Sequence, residues 1–431
     1  MGFSRSDRRR AWTIAVLANL LAAGVAVAQE AGADPLQERL TASAQALDRG
    51  EIDAADAAAA EALMLAGDAA AMRARAVWGQ ARVRNEQGRY PDALALLDEA
   101  ERLAGGADAQ LAASIAYDRA RAFDGQGEYA RAEAAALDSL ERRRALYGQV
   151  HDAVADALNL YANALAAQGR HAEADPAYRQ VLGMYEVLHG PKAPRVAIVL
   201  SNLANSLRRT GRWSQADPLY RRAVVIARAS QDKVLLAQCL NNYGWFLHLS
   251  GDGPKAERQF RPTLELALEI VGPEHPFTGV ARANLAYALM DQGRAVEAEP
   301  LFAEGLRVLA AGIGQGSPDL LETLRGYAAA LKAQGRLEEA EPLLRRASAI
   351  ATERLQPIHS ERLRSSDALA GLMLASDRPD AALEELRRSL APLRRRSGAE
   401  RDWRTAVRDA GPLFAREVEA AWALAERRSN P

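Results

Sequence analysis

One cysteine in 431 residues, Cys239, rules out an internal disulfide framework. Its place on an apolar helical stretch makes it a small packing residue. Aromatic residues make up only 6% of the chain and strand-type alternation is almost absent, which argues against a sheet and for helices packed through small side chains. The formal net charge is −1, and a near-neutral surface of interspersed signs offers no electrostatic footprint for DNA or RNA. The arginine runs Arg142 to Arg144 and Arg394 to Arg396 fall late in helical segments, where cations suit the dipole. None of the six histidines stands in a metal-binding or zinc-protease spacing. The glycine-rich stretch Gly312 to Gly316 has no lysine and follows no strand, so it reads as a loop and not a phosphate cradle. No catalytic residue, metal ligand or cofactor site is therefore expected.

Charge is unevenly spread at the N-terminus. Arg5, Arg8, Arg9 and Arg10 stand against Asp7, followed by an apolar stretch from Ala11 to Val25 and then Ala26-Val27-Ala28. A basic segment, an apolar segment and small residues at a cleavage position form an export signal, with cleavage expected before Gln29. The mature chain is expected in a bacterial periplasm, with membrane attachment only through an uncleaved leader.

The rest of the chain repeats. The phrase Gln-Gly-Arg, with alanine five residues after the glycine, recurs around Gly50, Gly88, Gly127, Gly169, Gly211, Gly251, Gly293 and Gly335, and Asp377 takes the ninth place; the steps run from 38 to 42 residues. Such a period marks stacked units, not a compact domain. One unit, 151–190, reads as an amphipathic helix ended by Gly169, then a second helix closed by Gly190 and Pro191. The position five after each anchor is always alanine, from Ala55 to Ala382. The position seven before it is always small, from Ser43 to Ala370. Nine after the anchor stand larger plugs, Tyr178, Tyr220, Phe260, Phe302, Leu344 and Leu386. The acidic residue and proline of Asp175-Pro176, Asp217-Pro218, Glu299-Pro300 and Glu341-Pro342 read as chemistry of the second helix's first turn.

In these columns, in Ala-Glu-Pro-Leu at 298–301 and 340–343, and in Gly272-Pro273-Glu274-His275-Pro276, the chain resembles tetratricopeptide-repeat proteins, in particular the 42-residue variety of kinesin light chains. The resemblance covers roughly residues 35–397. It implies an all-α fold, a right-handed α-solenoid superhelix of about nine antiparallel helix pairs. The expected organisation is a leader at 1–28, an array at 29–397 and a capping segment at 398–431 with an amphipathic stretch Leu413 to Arg427.

The resemblance further implies that first helices line a concave groove through positions thirteen, ten, nine, six, three and two before the glycine. Carried onto this sequence, those positions give Asn159, Asn163, Asn202, Asn205, Arg208, Arg209, Asn241, Asn242, Trp245, Asn284, Tyr287 and Arg325, with Asp156, His248 and Lys332 beside them. An asparagine amide both donates and accepts, so a row of them suits the backbone of an extended peptide. Each bond contributes only about 0.5–1.5 kcal/mol. Selectivity then falls to Trp245 and Tyr287 and to the cation pairs Arg208-Arg209 and Arg325-Lys332, the latter for acidic groups. The expected function is a non-enzymatic scaffold binding a peptide or protein partner in the groove. The alternative is an assembly subunit of an envelope machine acting through its convex face or ends.

Overall fold

The computed structural model describes residues 34–395 and 410–429; the leader expected at 1–28 lies outside them. Among the described residues there are nineteen α-helices and no strand. Nine first helices, Pro35–Asp48, Ala70–Glu86, Ala109–Gln126, Asp152–Ala167, Pro194–Arg209, Lys233–Leu249, Pro276–Met290, Leu321–Ala333 and Ser360–Ala375, alternate with second helices. The second helices are Ile52–Ala66, Tyr90–Ala104, Tyr129–Tyr147, His171–His189, Trp213–Ala229, Gly253–Val271, Ala295–Ile313, Leu337–Arg354 and Pro379–Arg395, and Gly411–Ser429 follows.

Each anchor does the same backbone work. At Gly169 the first helix ends with φ at +78°, and the next amide, Arg170 N, reaches back to the Leu165 carbonyl at 2.9 Å. This six-to-one closure uses up a helix-end carbonyl that would otherwise lack a partner. Asp377 adopts the same left-handed conformation at +55°, with Arg378 N on the Met373 carbonyl at 2.9 Å, so the ninth turn keeps its geometry without glycine. Asp is one of the few side chains that tolerates this region. His151, His275 and His359 cap the following first helices: in each, Nδ1 accepts from the backbone amide two residues on, at 3.1, 3.1 and 3.2 Å. Repetition of histidine between units is thus helix capping.

The small columns sit where the two helices of a pair meet. Every alanine from Ala55 to Ala382 is wholly buried, as are nearly all its counterparts from Ser43 to Ala370. Helices approach so closely that Ser43 Oγ donates to the Ala55 carbonyl at 2.9 Å, one column bonding the other. The plugs fill the space beside them, with Tyr220, Phe260, Phe302 and Leu386 fully buried. Cys239 is buried too, with its sulfur 3.7 Å from Ser201 Oγ, and burial pushes its thiol up to about 12.

The prolines are placed one turn deeper than the sequence reading held. Pro176, Pro218, Pro300 and Pro342 are each the sixth residue of their helix, so each forfeits a bond to the carbonyl of the second residue. The acid before each proline is likewise more than a dipole partner. Glu299 accepts from Gln334 Nε2 at 2.8 Å and from Arg336 at 2.6 Å, the Gln and Arg that flank the next anchor. The same clamp joins Glu133 to Gln168 and Arg170, and Glu257 to Gln292 and Arg294. Asp175 and Glu341 are held by arginine in the same way, by Arg212 and Arg378. The Gln334 amide, with Arg336 beside it, holds the Glu299 carboxyl below its ordinary range. Solvent screening leaves half-exposed pairs of this kind little net stability; each ties one pair of helices to the next.

Contacts divide the chain into two compact units that part between Phe246 and Leu247. In the first, first helices of successive pairs touch one another from Pro35–Asp48 to Pro194–Arg209 and form an inner layer. In the second, Pro276–Met290, Leu321–Ala333 and Ser360–Ala375 do the same. Gly411–Ser429 packs on the last pair through Leu413 and Ala420, and Arg416 Nε lies 2.5 Å from Asp367. No helix among the described residues is long and apolar enough to cross a membrane.

Candidate functional site: the first-helix layer

In the first unit the layer carries a paired motif. Tyr178 Oη donates to Asn163 Oδ1 at 2.7 Å, and one unit later Tyr220 Oη donates to Asn205 Oδ1 at 2.6 Å. Each plug, nine after the anchor, thereby fixes the residue six before it, a separation of 15 residues. Asn202 Nδ2 also donates to Asn163 Oδ1, at 3.3 Å, so the amides form a chain between adjacent pairs. With Oδ1 engaged, the Asn205 Nδ2 donors face away from the plug. In the second unit the same two positions are both aromatic: Tyr287 meets Phe302 edge-on, ring centroids 4.9 Å apart.

Other expected groove residues are placed differently. Asn241 and Asn284 are wholly buried and Asn159 is 5% exposed, so these three amides belong to the interior and are not presented to a peptide. For Asn159 and Asn284 the reason is the contact between neighbouring first helices, which covers part of the face that a single helix would expose. Arg325 is turned inward onto Glu361 at 2.5 Å and Ser365 at 3.1 Å, and Lys332 Nζ donates to the Gly371 carbonyl. The expectation that these two cations await an acidic ligand is thus corrected: the next pair takes them. Burial works against ionising Glu361, and Arg325 outweighs it, leaving the carboxyl below its ordinary range. Tyr287 Oη donates to the Glu322 carbonyl at 2.6 Å, and burial raises its phenol. His248, which had no nameable partner in the sequence, lies 2.6 Å from Asp291 and beside the Tyr287 ring.

Left on the surface in the first unit are Asn163, Asn202, Asn205, Arg208, Asn242 and Trp245, all half-buried, and Arg209, which is exposed. Arg209 Nε donates to His171 Nε2 at 3.1 Å. His171 is 8% exposed; burial first, then the charge of Arg209 with Arg208 and Arg212 behind it, lowers its ring to about 4 against the pull of Asp175. The unfolded chain, with histidine near 6.5, takes a proton that the folded chain refuses. Stability contributed by the neutral ring is therefore full above about pH 6.5 and is lost as pH falls toward 4. Urea denaturation at pH 7.5 and 5.0 should show a loss of about 1–2 kcal/mol that His171→Gln removes.

The sequence reading missed a polar cluster in the earlier pairs. Trp78 Nε1 donates to Asp118 Oδ2 at 2.8 Å, Arg121 bridges Glu86 at 2.6 Å and Asp118 at 3.5 Å, and the Arg82 guanidinium lies over the Trp78 ring at 5.2 Å. Trp78 stands ten before its anchor, Asp118 nine, and Arg82 and Arg121 six, so the same columns counted back from Gly88 and Gly127 would have found them.

Family models for tetratricopeptide repeats match residues 153–229, 235–311 and 319–394, with further matches at 113–153 and 74–99. These segments span more than half of the sequence. The chain belongs to the tetratricopeptide-repeat family. Among solved structures it is similar to the apo form of RapI, 11% identical over 91% of this chain and 99% of that one, with a TM-score of 0.59. It is also similar to a Rap protein complexed with competence and sporulation factor, 15% identical over 81% and 99%, TM-score 0.52. A putative kinesin light chain from Podosopora anserina is 23% identical over 47% and 98%, TM-score 0.42. No curated protein matches. Tetratricopeptide arrays are typically non-enzymatic interaction scaffolds.

Proposed function

We propose that the chain is an exported scaffold whose first-helix layer binds an extended segment of a protein partner. The observation that carries this is the tyrosine-oriented amide of Asn205, half-buried on the same helix as Asn202, whose own amide reaches Asn163 of the preceding pair. Asn205, held by its oxygen, keeps its N–H donors ready for a peptide carbonyl, whereas Asn163 Nδ2 is buried and serves the interior; preorganisation of this kind lowers the entropic cost of association. Trp245, half-buried in the same unit, supplies apolar area that amides lack. A Rap protein of the same fold has been captured with competence and sporulation factor, which fits the reading of such arrays as receptors.

Asn202→Ala combined with Asn242→Ala should abolish partner capture in a pull-down while moving the thermal transition little, since both amides are only half-buried. Capture that survives the double substitution rejects the amide row as the binding element. Export rests on the arginine-led apolar leader, and a mature N-terminus at Gln29 in periplasmic extracts is its check. A role in assembly through the ends draws on Val418 and Trp422, 70% and 69% exposed one turn apart on the final helix; light scattering on the purified protein decides it.

A further inference from the structure

One junction in the array lacks the clamp. Seven of the eight pairs that another pair follows carry an acid six residues after the anchor, from Asp56 to Glu341. In the second pair Leu94 stands there, and the next anchor reads Gln126-Gly127-Glu128, so both the acid and the arginine of the clamp are replaced. The third pair departs from the columns as well: Ala134-Ala135 take the places of Pro218-Leu219, Pro300-Leu301 and Pro342-Leu343. Space that larger side chains fill at other junctions is left here as a cleft of about 380 Å³, a size in the range of ligand sites. It lies between the second helices Tyr90–Ala104 and Tyr129–Tyr147, with Arg119 and Phe123 from the first helix between them.

The cleft is apolar inside and charged at its opening. Leu94 and Ala135 pack against the buried Phe123, and the Arg131 guanidinium lies over the Phe123 ring at 3.9 Å, a flat wall. Both arginines are already answered. Arg131 donates to Glu128 Oε2 at 2.7 Å, and Arg119 Nη2 donates to Asp98 Oδ1 and Glu101 Oε2, each at 2.8 Å. Each carboxylate thereby engages one oxygen, and the other has no bond among the described residues. Three carboxylates against two guanidiniums leave one negative charge in excess, and Asp98, 72% exposed, stands in the lining itself.

We propose that this cleft binds a hydrophobic amine: a flat apolar body lies between Leu94 and the Arg131–Phe123 stack, and its ammonium sits on the uncommitted oxygen of Asp98. The site shares no residue with the amides of the first-helix layer and stands or falls without them. Burial of the apolar body supplies the affinity, and the ammonium, a donor with no acceptor, supplies the selectivity. An anionic ligand of the same shape meets carboxylates in excess and arginines whose bonds it would have to break.

The test titrates three indoles of nearly equal shape into the full chain by isothermal calorimetry: tryptamine, tryptophol and indole-3-acetate, which end in an ammonium, a hydroxyl and a carboxylate. The expected result is saturable binding of tryptamine at about 1 mM or tighter, which so small a ligand can reach. Tryptophol should bind about three- to fivefold more weakly, the range for an exposed charge pair, and indole-3-acetate more weakly still. Asp98→Asn should erase the preference for the amine and leave tryptophol unchanged. Ala135→Leu installs the residue found at the equivalent place in three other pairs, and should abolish binding of all three indoles while circular dichroism shows the fold retained. The site is overturned if tryptamine binding does not saturate, if Ala135→Leu binds as the parent does, or if indole-3-acetate binds best. A preference for tryptamine that survives Asp98→Asn would equally reject the seat assigned to its charge.

Discussion

Phe302→Ala is expected to lower the stability of the second unit by about 3–5 kcal/mol, the range for emptying a fully buried aromatic site. Phe302 is wholly buried and stacks edge-on against Tyr287. A Cβ built on Gly326 would lie only 2.5 Å from the Phe302 ring and 2.6 Å from Tyr287 Oη, so the backbone of the following pair is drawn against both. One ring therefore fills the groove within its own pair and the contact with the next. Nearest-neighbour coupling carries the effect further in an array, because a pair that loosens withdraws support from those beside it. Urea denaturation followed by far-UV circular dichroism measures the loss. A cost below about 1 kcal/mol would mean that surrounding helices collapse into the vacated volume.

Asp118→Ala should cost roughly 3 kcal/mol in the first unit, through charge and not volume. Asp118 is 3% exposed and accepts from Trp78 Nε1 while its other oxygen faces Arg121. Removal strands the indole N–H and leaves Arg121, whose side chain is 17% exposed, with Glu86 as its remaining partner. Asp118→Asn is the informative control. It keeps an acceptor for the indole and deletes only the charge, so it should recover about half of the loss. Equal effects of the two substitutions would assign the whole contribution to the ion pair.

Both predictions concern residues whose importance follows from contacts between repeats, and that is where the sequence was hardest to read. Helix ends, small columns and plugs were legible because each depends on residues within one unit: Gly169 needs only its own helix end, and Ala216 only its partner helix. The clamp of Glu299 by Gln334 and Arg336 spans 35 and 37 residues. Seen singly, an acid before a proline on a helix's first turn has a sufficient local explanation, so nothing pointed across to the next anchor. The amides divide for the same reason. Asn163 and Asn205 are half-buried, as their positions led one to expect, yet their bonds to Tyr178 and Tyr220 were not foreseen, nor the burial of Asn163 Nδ2. Asn241 and Asn284 met the same positional rule and were covered by neighbouring structure. Arg325 and Lys332 show how a cation that a single helix would offer to a ligand is claimed by the pair that follows.

Burial of Cys239 has a practical corollary. A sulfhydryl with 2% exposure and an acidity suppressed to about 12 is almost entirely unionised at neutral pH, and only the thiolate reacts with maleimides or oxidants. A second cysteine engineered anywhere on the outside becomes the sole labelling handle on an otherwise native chain. Dyes, spin probes or photocrosslinkers can therefore be walked from one hairpin to the next without first deleting the natural residue.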